Sequence, residues 1–308
     1  MVTLNQKSNL LTALLVSMRP MQWIKNGFVI VPLLFSGQFQ KLSQTLKATL
    51  AFLAFCSVSS AVYIINDLCD RRMDRQHPIK KLRPIASGAV STTSALILSL
   101  ILIFLGIFAS AILSWKFLAT VIVYLSITIA YSLKLKHVVI IDVMVVAAGF
   151  VLRILAGSVA IAVNPSHWIM LCTILISLFL GFAKRRAEMV NEINAMKPSG
   201  TSRIVINDYS VVFLDQVIPM VASATIVCYA LYTVDTLTLE TFGTRAMLLT
   251  IPFVIYGILR YIYIIYHLEQ SEDPTQALIQ DIPMLINLVA WTVLSILIVM
   301  YGERITLF

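Results

Sequence analysis

Charge is scarce in this chain. Lysine, arginine, aspartate and glutamate together make up 12% of its 308 residues, roughly half the share found in soluble domains. Hydrophobic residues make up 59%, and mean hydropathy is +0.90. That balance excludes a soluble protein of this size and leaves an all-α polytopic membrane protein. Cysteine is sparse too. Cys56, Cys69, Cys172 and Cys228 lie in or beside apolar runs with no metal-type spacing, so they read as inert packing residues. There is no GxSxG, Walker loop, HExxH or Cys/His zinc pattern, and hence no ready nucleophile. A cleaved signal peptide is not expected, because Arg19-Pro20 interrupts a short apolar patch and no small-residue cleavage site follows. Residues 1–20 read as a retained, interfacial segment on the cytoplasmic side.

What the chain does hold is a series of apolar runs. About nine spans are expected, near 22–38, 46–66, 92–113, 115–133, 139–163, 167–184, 212–234, 245–268 and 282–302. They form one integral-membrane unit over 1–308, with no internal repeat. The net charge of +8 requires no nucleic-acid partner. Sixteen of the 23 basic residues fall in the N-terminal segment and in the loops after spans two, four and six. Nine spans with a cytoplasmic N-terminus put all of these on the cytoplasmic side. The opposite loops are short and poor in charge, so the polar motifs gather at one face of the bundle.

The densest of them is Asn66-Asp67-Leu68-Cys69-Asp70-Arg71-Arg72-Met73-Asp74, followed by a basic loop with Lys80, Lys81 and Arg83. If the second span continues to Asp74, then Asn66, Asp70 and Asp74 share one face at i, i+4 and i+8. Such a row of oxygens at a membrane surface suits Mg²⁺, which keeps waters and bridges to substrate phosphates. The lysines and arginines that follow are placed to hold an anionic substrate. The plainer alternative is a solvated helix end with ion pairs to Arg71, Arg72 and Arg75. Asp67 points off this face and reads as structural. Tyr63, one turn earlier, fits either the same pocket or an interfacial aromatic. Lys25 fits a lysine snorkelling to the headgroups or one reaching into the site. His77, before Pro78, fits a turn residue better than a base.

Two further clusters stand out. The first contains Tyr131, Lys134 and Lys136, followed by Asp142; Arg153 lies eleven residues after Asp142. That is about 16 Å of helix, too far for the two to pair. Arg153 and Arg260 lie deep in their spans and are expected to line a polar cavity. The other cluster is Lys184-Arg185-Arg186-Ala187-Glu188, which fits a phosphate-binding group or a positive-inside anchor with a helical ion pair.

The Asn66-xxx-Asp70-xxx-Asp74 motif, the basic loop ending Arg83-Pro84-Ile85-Ala86-Ser87-Gly88, and nine apolar spans resemble the UbiA superfamily of intramembrane prenyltransferases. The resemblance covers nearly the whole chain. It implies a helical bundle around a cavity open to the cytoplasm, in a cell membrane of bacterial inner-membrane type. Usual members carry a second Asp-xxx-Asp motif; here Asp142 is followed by Val143, Met144, Val145 and Val146. That departure is similar to a branch whose donor is phosphoribosyl pyrophosphate and whose acceptor is a polyprenyl phosphate of decaprenyl type. So are Arg19-Pro20-x-Gln22-Trp23-x-Lys25-Asn26, Tyr131-Ser132-x-x-x-Lys136, Gly149-Phe150-Val151-Leu152-Arg153 and Lys184-Arg185-Arg186-Ala187-Glu188. In that branch the product serves cell-envelope arabinose precursors.

The resemblance implies Asn66 and Asp70 as Mg²⁺ ligands, with Asp74 helping directly or through water. It implies Lys25, Tyr63, Lys80 and Lys134 at the donor phosphates, with Lys80 where donor and acceptor phosphates meet. Arg83, Lys184 and Arg185 would be further phosphate contacts, Asp142 part of the substrate site, and Arg153 and Arg260 the cavity lining. Two alternatives stay open, an aromatic prenyltransferase using a prenyl diphosphate and a non-enzymatic transporter.

Overall fold

Residues 9–76, 79–194, 208–268 and 280–301 are described by the computed structural model. His77, most of the acidic connector 269–280 and the latter part of the loop before Tyr209 lie outside them. Among the described residues every regular element is a helix. A short α1 (Leu10–Ser17) leads in, and α3 (Leu42–Cys69), α6 (Thr92–Leu113), α7 (Trp115–Leu133) and α8 (Ile141–Ala160) form the first half of the bundle. The second half comprises α9 (His167–Asn194), α10 (Val211–Val234), a short α11 (Thr236–Phe242), α12 (Ile251–Tyr263) and α13 (Ile282–Tyr301). The small helices α4 (Arg71–Gln76) and α5 (Pro84–Ser87) close the end of α3.

Three of the long helices, α6, α7 and α10, start where serines cap them. Ser91, Ser114 and Ser210 accept hydrogen bonds from the amides of Ser94, Phe117 and Phe213, at 3.0, 3.1 and 3.1 Å, satisfying N–H groups that a helix start leaves without partners. Ser114 alone joins α6 to α7, in an extended conformation. Helix α3 runs through the interior. Its Ala51, Ala54, Phe55, Val58 and Ala61 are buried, and Phe55 meets the rings of Phe117 at 6.0 Å and Tyr124 at 5.2 Å. Helix α6 does the opposite: Leu100, Phe104, Phe108 and Ile112 stay exposed on a helix of very high hydropathy, as suits a face turned to lipid.

Eight helices among the described residues have the length and apolarity of a membrane crossing, where the sequence suggested nine. The chain is an integral membrane protein, but its first expected span, 22–38, is not one α-helix. Pro20–Val29 winds as a 3₁₀ helix, Val31–Phe35 forms the brief α2, and Gly37 ends it at φ 66°. At their respective rises these pieces extend about 27 Å, close to the roughly 30 Å of hydrocarbon. The segment therefore keeps the length of a crossing in a tighter winding.

Two contacts hold that segment in place. Gly157 of α8 lies against its backbone so closely that a Cβ there would sit 2.0 Å from the Val29 carbonyl oxygen. Gly157→Ala is expected to cost about 1–3 kcal/mol through forced displacement, read as a lower melting temperature. Gly27→Ala, with nothing within 4 Å of the added carbon, is expected to melt like the parent.

The second contact is Arg153. Its Nε donates to Asn26 Oδ1 at 2.8 Å, Nη1 to the Gly149 carbonyl at 2.8 Å and Nη2 to the Tyr124 hydroxyl at 2.9 Å. Its guanidinium also lies over the Tyr124 and Phe150 rings, at 4.9 and 5.3 Å. Arg153, expected to line a polar cavity, is only 6% exposed. An arginine fork with three oxygen partners and two rings holds the 3₁₀ segment, α7 and α8 together, which is how a charge at this depth is accommodated.

Candidate active site

At the end of α3 the helix breaks once and resumes. Asp70 stands between α3 and α4 at φ −85°, ψ 0°. The Asp70 amide donates to the Asn66 carbonyl and the Asp74 amide to the Asp70 carbonyl, both at 2.9 Å. The i, i+4, i+8 rhythm of Asn66, Asp70 and Asp74 thus survives the break. Their side chains, however, are treated differently.

Asp67 and Asp74 are taken up by arginines. Arg83 Nη1 donates to Asp74 Oδ2 at 2.7 Å and to Asp67 Oδ1 at 3.1 Å, and Arg19 Nη2 donates to Asp67 Oδ1 at 2.5 Å. The two carboxylates are only 6% and 4% exposed. Asp74, expected as a metal ligand, and Arg83, expected as a phosphate contact, are thus paired with each other. The cause is the loop after α4, which turns back through Lys80–Leu82 and starts α5 at Pro84, swinging Arg83 over the row. Arg75 donates to the Ala86 carbonyl at 3.0 Å and Arg71 to the Thr92 hydroxyl at 2.7 Å, so both fasten the loop instead of pairing with the row.

Asp70 is the most open of the three carboxylates, at 18%. Its Oδ1 accepts from Lys136 Nζ at 2.7 Å and its Oδ2 from Asn66 Nδ2 at 3.1 Å. Lys136 lies on the 3₁₀ turn Leu135–His137 that joins α7 to α8. It is buried, whereas Lys134 is exposed on the same turn's flank. The lysine that reaches the acidic row is therefore Lys136, two residues beyond the one expected at the phosphates. The basic turn was visible in the sequence; which lysine faces inward depends on how the 3₁₀ turn winds. Arg19 was also passed over. It adopts the left-handed region at φ 53°, and its guanidinium lies 5.2 Å from the centre of the Tyr63 ring. Tyr63, Lys25 and Lys80 are half-buried, on α3, the 3₁₀ segment and the turn before Arg83.

Asn66 and Asp70 offer hard oxygen donors on adjacent turns, and among the described residues no three His, Cys, Asp or Glu side chains come together as a metal-binding group. The donor set fits a Mg²⁺ ion with few protein ligands, leaving room for water and phosphate oxygens.

The second polar cluster lies beside this one, at the start of α8. Asp142, fully buried, accepts from Arg185 Nε at 2.6 Å and from the Tyr209 hydroxyl at 2.8 Å. Arg185 also pairs with Glu188, and the Tyr209 oxygen accepts from the Ile140 amide at 2.7 Å. Burial and the Asp142 carboxylate push Tyr209 well above the ordinary phenol range, so it stays a donor. Asp142 and Arg185, both expected at the substrate, pair with each other, because α9 continues to Asn194 and carries Arg185 back over the start of α8. Lys184, expected to open a loop, sits within α9 at 3.9 Å from Glu188. The next residue, Arg186, pairs with Asp215 at 2.5 Å and lies 3.8 Å from the centre of the Tyr266 ring, tying α9 to α10.

Arg260 departs from expectation as well. It forms a two-point contact with Asp281, at 2.8 and 3.1 Å, and Asp281 caps α13 by accepting from the Met284 amide at 2.8 Å. Arg260 holds the Asp281 carboxyl below its usual range. The pair fastens α12 to α13.

A model described as the UbiA prenyltransferase family matches residues 28–299. The chain belongs to that family. It is 34% identical over 274 residues to a decaprenyl-phosphate phosphoribosyltransferase of Mycolicibacterium smegmatis, covering 84% of each chain. It is 35% identical to the protein of the same name from Corynebacterium glutamicum, over 82% of this chain and 76% of that one. Among solved structures, a UbiA homolog from Archaeoglobus fulgidus bound to GPP and Mg²⁺ superposes with a TM-score of 0.65, at 19% identity, over 95% of this chain and 98% of that one. A digeranylgeranylglyceryl phosphate synthase superposes with a TM-score of 0.63, at 20% identity, over 93% and 99%. These two likenesses show that the helical arrangement is the UbiA fold. Within it, Asp70 is the most open of the four aspartates at positions 67, 70, 74 and 142, and Asp67, Asp74 and Asp142 are each paired with arginine.

Proposed function

We propose that this UbiA-family protein transfers the 5-phosphoribosyl group of phosphoribosyl pyrophosphate to a polyprenyl phosphate of decaprenyl type. Pyrophosphate is released. The observation that carries the reading is the similarity to two decaprenyl-phosphate phosphoribosyltransferases, at 34% and 35% identity over more than four fifths of this chain. The site's chemistry supports it. Asn66 and Asp70 would hold Mg²⁺, and when bound that ion neutralises charge on a departing diphosphate. Lys25, Lys80 and Lys136, with Tyr63, would supply donors for the diphosphate and for the additional 5-phosphate of a ribosyl donor. The acceptor phosphate is already an anion and needs no general base, in keeping with a sequence that has no nucleophile motif.

In the proposed reaction the bond from the ribose anomeric carbon to the diphosphate breaks and a bond from that carbon to a lipid phosphate oxygen forms. Positive charge develops on the ring as pyrophosphate leaves, so cationic groups aimed at the leaving group act most strongly in the transition state. The basic, positive-inside loops support a cytoplasmic site in the inner membrane.

The test uses purified protein, Mg²⁺, polyprenyl phosphate and radiolabelled phosphoribosyl pyrophosphate. Label is expected in the lipid phase, and EDTA is expected to stop its transfer. No transfer across several chain lengths, together with turnover of prenyl diphosphates onto aromatic acceptors, would overturn the proposal. Lys80→Ala is expected to raise the donor KM about tenfold or more, with a smaller change in kcat. An unchanged donor dependence would remove Lys80 from the site.

A further inference from the structure

We propose that Lys136 is a built-in counter-ion that holds the cation site closed, so that the divalent cation and the donor's diphosphate enter as one unit. The inference rests on the proposed function only in taking Asn66 and Asp70 as the place where a divalent cation and a diphosphate meet.

Asp67, Asp70, Asp74 and Asp142 each have a cationic partner, and the kind of partner separates them. Asp67, Asp74 and Asp142 are held by Arg19, Arg83 and Arg185. An arginine fork is planar, always charged and fixed in geometry, which suits a permanent clamp. Of these four aspartates, Asp70 is the one held by a lysine, Lys136, at 2.7 Å. A lysine is a compact charge on a flexible four-carbon stem, and it can turn from one anion to another without rebuilding its surroundings. Asp70 is also the most open of these carboxylates, at 18%, while the Lys136 side chain is only 7% exposed.

That combination has a consequence for binding. The Lys136 ammonium sits on Asp70 Oδ1, an oxygen that a metal would use, and Asn66 Nδ2 sits on the other. A cation arriving alone must displace the ammonium and leave it buried without an anion, which is unfavourable in a low-dielectric site. A cation arriving with a diphosphate brings a new anionic partner, and Lys136 can turn to it. Lys136 therefore couples cation affinity to diphosphate affinity, and by linkage each tightens the other equally. It also disfavours futile occupation of the site by a free divalent cation.

The experiment measures Mn²⁺ binding to the purified full-length protein by electron paramagnetic resonance, with and without inorganic pyrophosphate as the probe. For the parent, Mn²⁺ alone is expected to bind weakly and pyrophosphate to tighten it at least tenfold. Lys136→Met is expected to bind Mn²⁺ alone at least tenfold more tightly than the parent, with most of the pyrophosphate gain lost. Lys136→Gln, which keeps a polar group for Asp70, serves if the methionine variant does not fold, and the same direction is expected. Asp70→Asn, expected to bind Mn²⁺ in neither condition, ties the signal to this site. Unchanged or weaker binding of Mn²⁺ alone in the Lys136 variants would overturn the proposal. So would a parent that binds Mn²⁺ equally well with and without pyrophosphate. Pyrophosphate is common to ribosyl and prenyl donors, so failure of phosphoribosyl transfer in the earlier assay would leave this result standing.

Discussion

Asp70→Asn is expected to reduce phosphoribosyl transfer by about a thousandfold or more, equivalent to about 4 kcal/mol of transition-state stabilisation, while the protein stays folded in the membrane. The substitution keeps the size of the side chain and an acceptor for Asn66, which lies 3.1 Å away. What it removes is the one carboxylate in the row that no arginine has claimed. Asp67 and Asp74 cannot take over, because each is buried against Arg83. The measurement is the initial rate of label transfer beside a thermal melt of the same preparation. A rate above one tenth of the parent's would contradict the assignment of Asp70; a lost melt would move its role to the fold. Cys69→Ser, one residue away and exposed, is the control and is expected to be nearly silent.

Arg185→Met is expected to destabilise the protein by about 3–5 kcal/mol, the cost of leaving a buried charge without its partner. Asp142 is fully buried and would keep only the Tyr209 hydroxyl at 2.8 Å. Ile140 stands at φ 68°, an unusual conformation for a β-branched residue, and its amide is held by the same Tyr209 oxygen. Losing the cluster therefore loosens the start of α8 as well. Adding Asp142→Asn to Arg185→Met is expected to recover a large part of the loss, since it removes the stranded charge. Melting of the single and double variants decides the matter. A stable Arg185→Met protein with a raised donor KM would instead return Arg185 to the phosphates.

The long helices were legible because their apolar runs are continuous and end at serine caps or charge. The first crossing was not. Pro20, Gly27 and Pro32 interrupt it, and its Asn26 faces Arg153, a partner 127 residues away that no local pattern reveals. The acidic row was legible as a periodicity, and Asp67 stood apart from it as a structural residue by the same argument. What periodicity could not supply was the fate of Asp74, since Arg83 returns to it only after the loop has folded. Arg153 and Arg260 were marked as functional on the cost of burying charge, and Asp142 and Arg185 on the family resemblance. That cost is met by protein partners: Arg185 and Tyr209 for Asp142, Asp281 for Arg260. Cys172 and Cys228 read as unrelated packing residues, yet their sulfurs lie 3.4 Å apart between α9 and α10.

The most direct test of the proposed reaction follows two labels in one donor. Phosphoribosyl pyrophosphate carrying ¹⁴C in the ribose and ³²P in the β-phosphate is incubated with the protein, Mg²⁺ and decaprenyl phosphate, and the phases are separated. The expected result is ¹⁴C in the lipid phase and ³²P in the aqueous phase as pyrophosphate, because the bond at the anomeric carbon is the one that breaks. Both labels in the lipid, or both left in water by an otherwise active preparation, would contradict it.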